Sequence, residues 1–156
     1  MNGYKLTIKN GEETIAFSTA EGEYRGSVPI TGAEFKMNTL NDETVNRPDE
    51  VRVELKIYGN ITEQDREETL KLTKWSMDAN RKTLYRDVEL TVYSNQNCTG
   101  DTLRVYQFSS MFVIDYQESF TKLRGEDKSS QDGDMGTFLL FIAQKAGSEE
   151  KHVYAD

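Results

Sequence analysis

One histidine and one cysteine are all that this chain offers to nucleophilic or soft-metal chemistry. The histidine, His152, lies near the C-terminal end, where chains fray. The cysteine, Cys98, sits in the turn N-Q-N-C-T-G-D, far from it in sequence. A Ser-His-Asp triad or a cysteine nucleophile needs an organised histidine partner, so hydrolase chemistry of that kind is not expected. A single cysteine also excludes an intrachain disulfide framework. Zinc would have to be held almost entirely by carboxylates, a poor constellation for that ion. The sequence contains no G-x-S-x-G, no P-loop, no H-E-x-x-H and no paired C-x-x-C. No catalytic, cofactor or metal residue is assigned, and no enzyme activity is expected.

Long apolar runs are missing too. The longest, Phe138 to Ala143, is strand-sized, well short of the roughly 20 residues that a membrane-spanning helix needs. The start, M-N-G-Y-K-L-T-I-K, has neither a basic segment nor an apolar core of signal-peptide type. A chain made in the cytoplasm, with no membrane insertion, is the expectation. Positive charge is scarce: 19 Lys and Arg face 27 Asp and Glu, a net charge of −8. Such a surface repels phosphate backbones and anionic lipid, so nucleic acid is not an expected partner. The acids Asp127, Asp132 and Asp134 crowd one loop but lack the register of a calcium loop.

What is present is strand pattern. Tyr4 to Lys9 alternates apolar and polar residues, Asn10-Gly11 is a hairpin signal, and Thr14 to Ser18 returns. Gly26 to Met37 reads as a third strand, bent at Pro29 or Gly32. Val51, Val53, Leu55 and Ile57 alternate with polar partners in the cleanest amphipathic strand of the chain. A helix is predicted over 63–78, with Asn60 or Thr62 as cap, acids early and bases late. Leu72, Trp75 and Ala79 form its apolar stripe. Strands follow near 85–94, 102–109, 111–119 and 136–145. Ser109-Ser110 reads as a kink or bulge between two of them, and the tail has room for a short edge strand. Two polar stretches, Met37 to Glu50 and 121–136, are long for idle loops. The sum is a mainly β chain: one domain spanning 1–156, an antiparallel β-barrel of about eight strands with one helix.

One strand breaks the simple pattern. In G-T-F-L-L-F-I-A-Q-K both faces are apolar, which calls for cover on both faces. A chain of this size finds part of that cover in another copy of itself, so an assembly module is the first expectation.

Taken in order, the hairpin, the long polar loop into V-R-V-E-L-K-I-Y-G, the helix ending L-T-K-W-S-M, and then Y-R-D-V-E-L-T-V-Y, F-V-I-D-Y-Q-E-S-F and G-T-F-L-L-F-I-A-Q-K resemble the Hcp (TssD) tail-tube family. That family serves type VI secretion and related contractile injection systems, and the likeness is to its Bacteroidetes-type branch. The resemblance covers about residues 3 to 146. It departs from the usual pattern in the 121–136 loop and in the tail after Gly147. It implies a structural tube subunit whose barrels form hexameric rings. The rings stack into an inner tube for effector delivery, exported by the contractile apparatus without a signal peptide. Sheath, spike or baseplate and effector proteins are the implied partners, and no cofactor is implied. The implied ring-stacking loop matches Asn38, Leu40, Asn41, Val45, Arg47 and Pro48. The implied core and lateral-interface strands match Phe112, Ile114, Tyr116, Phe138, Leu140, Phe141 and Ile142. A second reading stays open on the residues alone: a monomeric barrel binding a small ligand or carbohydrate, with Tyr85, Tyr93 and Tyr106 pointing inward.

Overall fold

The computed structural model describes residues 1–20, 28–39, 51–120, 136–148 and 150–155. The first hairpin forms as the sequence predicts. Strand β1 (Gly3–Lys9) pairs antiparallel with β2 (Thr14–Ser18). The turn is fastened by the Asn10 carboxamide oxygen, which accepts the backbone N–H groups of Glu12 and Glu13. Gly11 has φ +98°, a conformation that disfavours any side chain.

Six further strands follow: β3 (Ile30–Thr39), β4 (Val51–Ile61), β5 (Arg86–Tyr93), β6 (Thr102–Ser119), β7 (Gly136–Gln144) and β8 (Lys151–Tyr154). They join one antiparallel sheet in the order β2-β1-β5-β6-β7-β4-β3, with β8 added to β6. β2 and β3 end this path, and the short β8, paired only with β6 among the described residues, is a further edge. Among the described residues no ladder joins β2 to β3, so the barrel expected from the sequence is a curled sheet that backbone hydrogen bonds do not close. Rings from distant strands meet inside it nonetheless. Phe17 of β2 lies 6.1 Å from Phe138 of β7, and Phe35 of β3 lies 4.9 Å from Tyr106 of β6. The core is built by period-2 alternation: Leu6 and Ile8, Ile15 and Phe17, Val53, Leu55 and Ile57, Val88 and Leu90, and Phe138, Leu140 and Ile142 are all buried in it.

Three expected boundaries change. β3 starts at Ile30 rather than at 26, and its ladder slips between Ile30 and Gly32, where a bend was expected. The two strands on either side of Ser109-Ser110 are one strand, β6. Its bulge there sets three steps of β6 (Phe108 to Met111) against two of β5 (Val88 to Arg86), with Ser110 at φ 54°. The tail does form a strand, β8, on the edge of β6 that β7 has just left. The helix α1 runs Arg66–Ser76, shorter than predicted. Thr62 closes the turn before it rather than capping it: its hydroxyl accepts the Asp65 N–H and donates to the Asp65 carboxylate. The buried stripe of α1 is Thr69, Leu72 and Trp75. Ala79 falls past its end and is exposed.

Trp75 is the keystone of the helix. It is 2% exposed, and its indole N–H donates to the Leu84 carbonyl at 2.8 Å. The Arg86 guanidinium lies over its ring at 5.4 Å and is itself bonded to Glu13 at 2.9 Å. The turn between them is held by Asp78, whose carboxylate accepts the Thr83 hydroxyl and the Asn80 N–H. Those two bonds hold the Asp78 carboxyl below the usual carboxylate range.

Trp75→Ala is expected to lower stability by about 3–5 kcal/mol in urea titration. The depressed carboxyl of Asp78 stabilises the fold while ionised. The stability gap between wild type and Asp78→Asn is therefore full at neutral pH. It should close as pH falls from about 3.9 through the lower folded-state value, which denaturation at a series of pH values would show.

Candidate functional site

The two faces of β7 separate cleanly. Phe138, Leu140 and Ile142 point into the core. Leu139 and Phe141 alternate with them and are partly exposed on the other face, where Ala143 is fully buried. Phe141 pairs with Lys56 of β4 on one side and Asp115 of β6 on the other. β6 divides likewise: Val113 and Tyr116 pack against the core, while Phe112 and Ile114 do not. Ile114 is the extra residue in a second irregularity of the β6–β7 ladder, between Val113 and Asp115, and is 37% exposed. The lateral set expected from the sequence therefore splits. Tyr116, Phe138, Leu140 and Ile142 serve the interior. Phe112, Ile114 and Phe141 lie on the outer face, joined there by Leu139 of the same doubly apolar strand.

Cations frame this outward apolar stripe. The Lys56 ammonium sits 5.2 Å from the centre of the Phe141 ring. Tyr85 meets Phe112 edge-on at 6.0 Å, and the Lys145 ammonium lies 4.8 Å from Tyr85. An apolar centre with a charged rim is the usual anatomy of a protein-binding surface. Tyr85 thus works on the outside, contrary to the inward placement that a ligand-binding barrel would need. So does Tyr93, whose ring lies beneath Lys5. Only Tyr106 of the three packs against the core. Aliphatic and aromatic side chains from seven strands and α1 pack together in the described interior. Two open clefts of about 360 and 350 Å³ are lined largely by outward-facing residues, one around Thr7, Glu89, Gln107 and His152, the other around Thr31, Tyr58, Gln117 and Thr137.

Below the stripe, polar groups tie α1 to β6. The Glu118 carboxylate accepts the Tyr116 hydroxyl at 3.0 Å and the Thr73 hydroxyl. Burial pushes the Tyr116 phenol well above its ordinary range, a shift that Glu118 reinforces and the Thr73 contact opposes. The phenol therefore stays a hydrogen-bond donor. Gln144, 3% exposed at the end of β7, donates from its carboxamide nitrogen to the carbonyls of Ser109 and Glu150, both at 2.9 Å. It fastens the β6 bulge to the start of β8. Only its place in the inward register of β7 could have flagged it.

Of the expected ring-stacking residues, Asn38 is the next-to-last residue of β3 and stands opposite Arg52. Leu40, Asn41, Val45, Arg47 and Pro48 lie outside the described residues, as do Asp127, Asp132 and Asp134. Among the described residues no group of three or more His, Cys, Asp or Glu is placed to hold a metal ion, and no helix is long and apolar enough to cross a membrane.

No family model matches the chain, and no curated protein matches it in sequence. Solved structures do resemble it along nearly its whole length. An Hcp protein superposes with a TM-score of 0.53 at 7% identity, covering 96% of this chain and 98% of that one. A type six secretion system protein gives 0.52 at 14% identity, over 97% and 95%. A chain of the PVC sheath-tube complex, an extracellular contractile injection system in its extended state, gives 0.51 at 11% identity, over 98% and 88%. At such identities the likeness is one of fold. The fold expected from the Hcp resemblance is the fold observed.

Truncating the two faces of β7–β6 should have unequal effects. Leu140→Ala is expected to cost about 2–5 kcal/mol, and Ile114→Ser no more than about 0.5 kcal/mol, in chemical denaturation of the isolated subunit. Equal losses would mean that the outward face is part of the core.

Proposed function

We propose that this chain is a structural tube subunit of a contractile injection apparatus, forming hexameric rings that stack into an inner tube and carry effector proteins. The observation that carries the reading is the two-faced strand β7, set in a fold shared with Hcp and sheath-tube proteins. Its inner face already completes a core, so its outer apolar face, with Phe112 and Ile114 beside it, is free to be covered by a neighbouring copy. Repeating one such contact head to tail closes a ring when the rotation per subunit fits. Asn38 and the segment after it supply the contact to the next ring. Sheath and baseplate proteins are the outer partners, the apparatus exports the subunit, and no catalysis is assigned.

Two outward tyrosines, Tyr85 and Tyr93, speak against the small-ligand barrel. Charge adds a condition. Six copies of −8 place about −48 on one ring, so stacking works against repulsion that salt screens.

Light scattering behind size exclusion, with negative-stain images of the same peak, tests the reading. A ring with a central hole near six times 17.9 kDa, about 107 kDa, is the expected particle. A monomer at all protein concentrations would overturn the ring. Raising NaCl from about 0.05 to 0.5 M should favour stacked rings, because the screening length shortens over that range. Tubes that dissolve in salt would show instead that ion pairs between rings dominate.

A further inference from the structure

β2 and β3 end the main path of the sheet, and the chain treats these two edges differently. β3 bears its own exposed charges, Glu34 and Lys36, the common defence of an edge against stray pairing. β2 reads T-I-A-F-S and has none. One side of its backbone is spent on β1. On the other, the Ala16 N–H and the Thr14 carbonyl face away from the sheet, and α1 meets both. Glu68 Oε2 accepts the Ala16 N–H at 2.9 Å. Lys71 Nζ donates to the Thr14 oxygen at 3.3 Å. The two side chains are joined to each other at 3.0 Å.

An acceptor for residue 16 and a donor for residue 14 are what an antiparallel neighbour would present at this edge. Two side chains, more than fifty positions away in sequence, thus stand in for a strand. We infer that Glu68 and Lys71 form an edge guard that prevents β2 from pairing with β2 of a second copy. The excluded partner is another copy for two reasons. An antiparallel β2–β2 pair is self-complementary, and the uncharged strand offers no repulsion against its own image. Thr14 and Ala16 are also small and exposed, so a second backbone can approach closely. Such a contact is two-fold and closes on itself, so it would compete with any head-to-tail assembly. The guard stands on this geometry whether or not rings form.

Glu68→Ala/Lys71→Ala removes both charges together. Its mass by light scattering is expected to be at least twice that of the wild-type particle, whatever state the wild type adopts, and to rise with concentration. Adding Ala16→Pro removes the outward N–H while leaving the β1 ladder, and should return the wild-type mass. No rise in a variant with native circular dichroism, or a rise that Ala16→Pro leaves in place, overturns the guard. If the double variant does not fold, amide exchange in the wild type decides. The Ala16 N–H is expected to be protected at least tenfold, and protection lost in Glu68→Ala supports the inference. An Ala16 amide that exchanges as fast in wild type as an open edge amide overturns it. A monomeric wild type would end the ring reading and leave this comparison intact.

Discussion

A sheet that curls without closing needs something other than a ladder to keep its shape, and here that is α1. The helix reaches β2 through Glu68 and Lys71 and the far half of β6 through Thr73. It reaches the entry to β5 through Trp75 and Leu84. Its apolar stripe is narrow, since Leu70 and Met77 remain exposed. Trp75 compensates by combining a large buried surface, a satisfied indole N–H and a cation over its ring, three terms that act on one side chain. Losing it would free the helix from the entry to β5.

The register of the strands then fixes what the surface presents. Side chains alternate strictly along a strand, so placing Phe138, Leu140 and Ile142 in the core sends Leu139 and Phe141 to the outer face. The bulge at Ser109-Ser110 serves the same end. It lets one strand pair with β5 along its first half and β7 along its second while Met111 stays inward. Gln144 locks the junction, so β7 and β8 follow the same edge of β6 without a continuous ladder.

Most of this was legible in the sequence wherever a period-2 pattern met a turn residue. β1, β2 and β4 stand where alternation and Asn10-Gly11 put them, and the doubly apolar β7 was visible as an anomaly before any geometry. What was not legible is contact between remote parts. The helix begins at Arg66 because Thr62 spends its hydroxyl on the preceding turn, which spacing alone does not distinguish from a cap. The open edges of the barrel depend on curvature, which the alternation of side chains does not encode. Glu68 and Lys71 read as an ordinary surface pair at i, i+3, and their bonds to the β2 backbone appear only once the helix is docked.

The polar groups inside the molecule narrow what it is built to do. Thr19 accepts the Tyr4 N–H and donates to the Gln96 carbonyl, tying the end of β2 to the turn that holds Cys98. Thr69 returns its hydroxyl to α1, Arg86 bridges Glu13 and Trp75, and Gln144 secures the β6 bulge. These side chains are spent on strand ends and junctions, the places where a curled sheet would otherwise fray. In the proposed tube, a molecule that directs its buried polarity to shape, while leaving an apolar stripe with a charged rim on its outer face, works at that face. There the requirement is complementarity to another surface, and a rigid sheet with a fixed register can present the same surface on every copy.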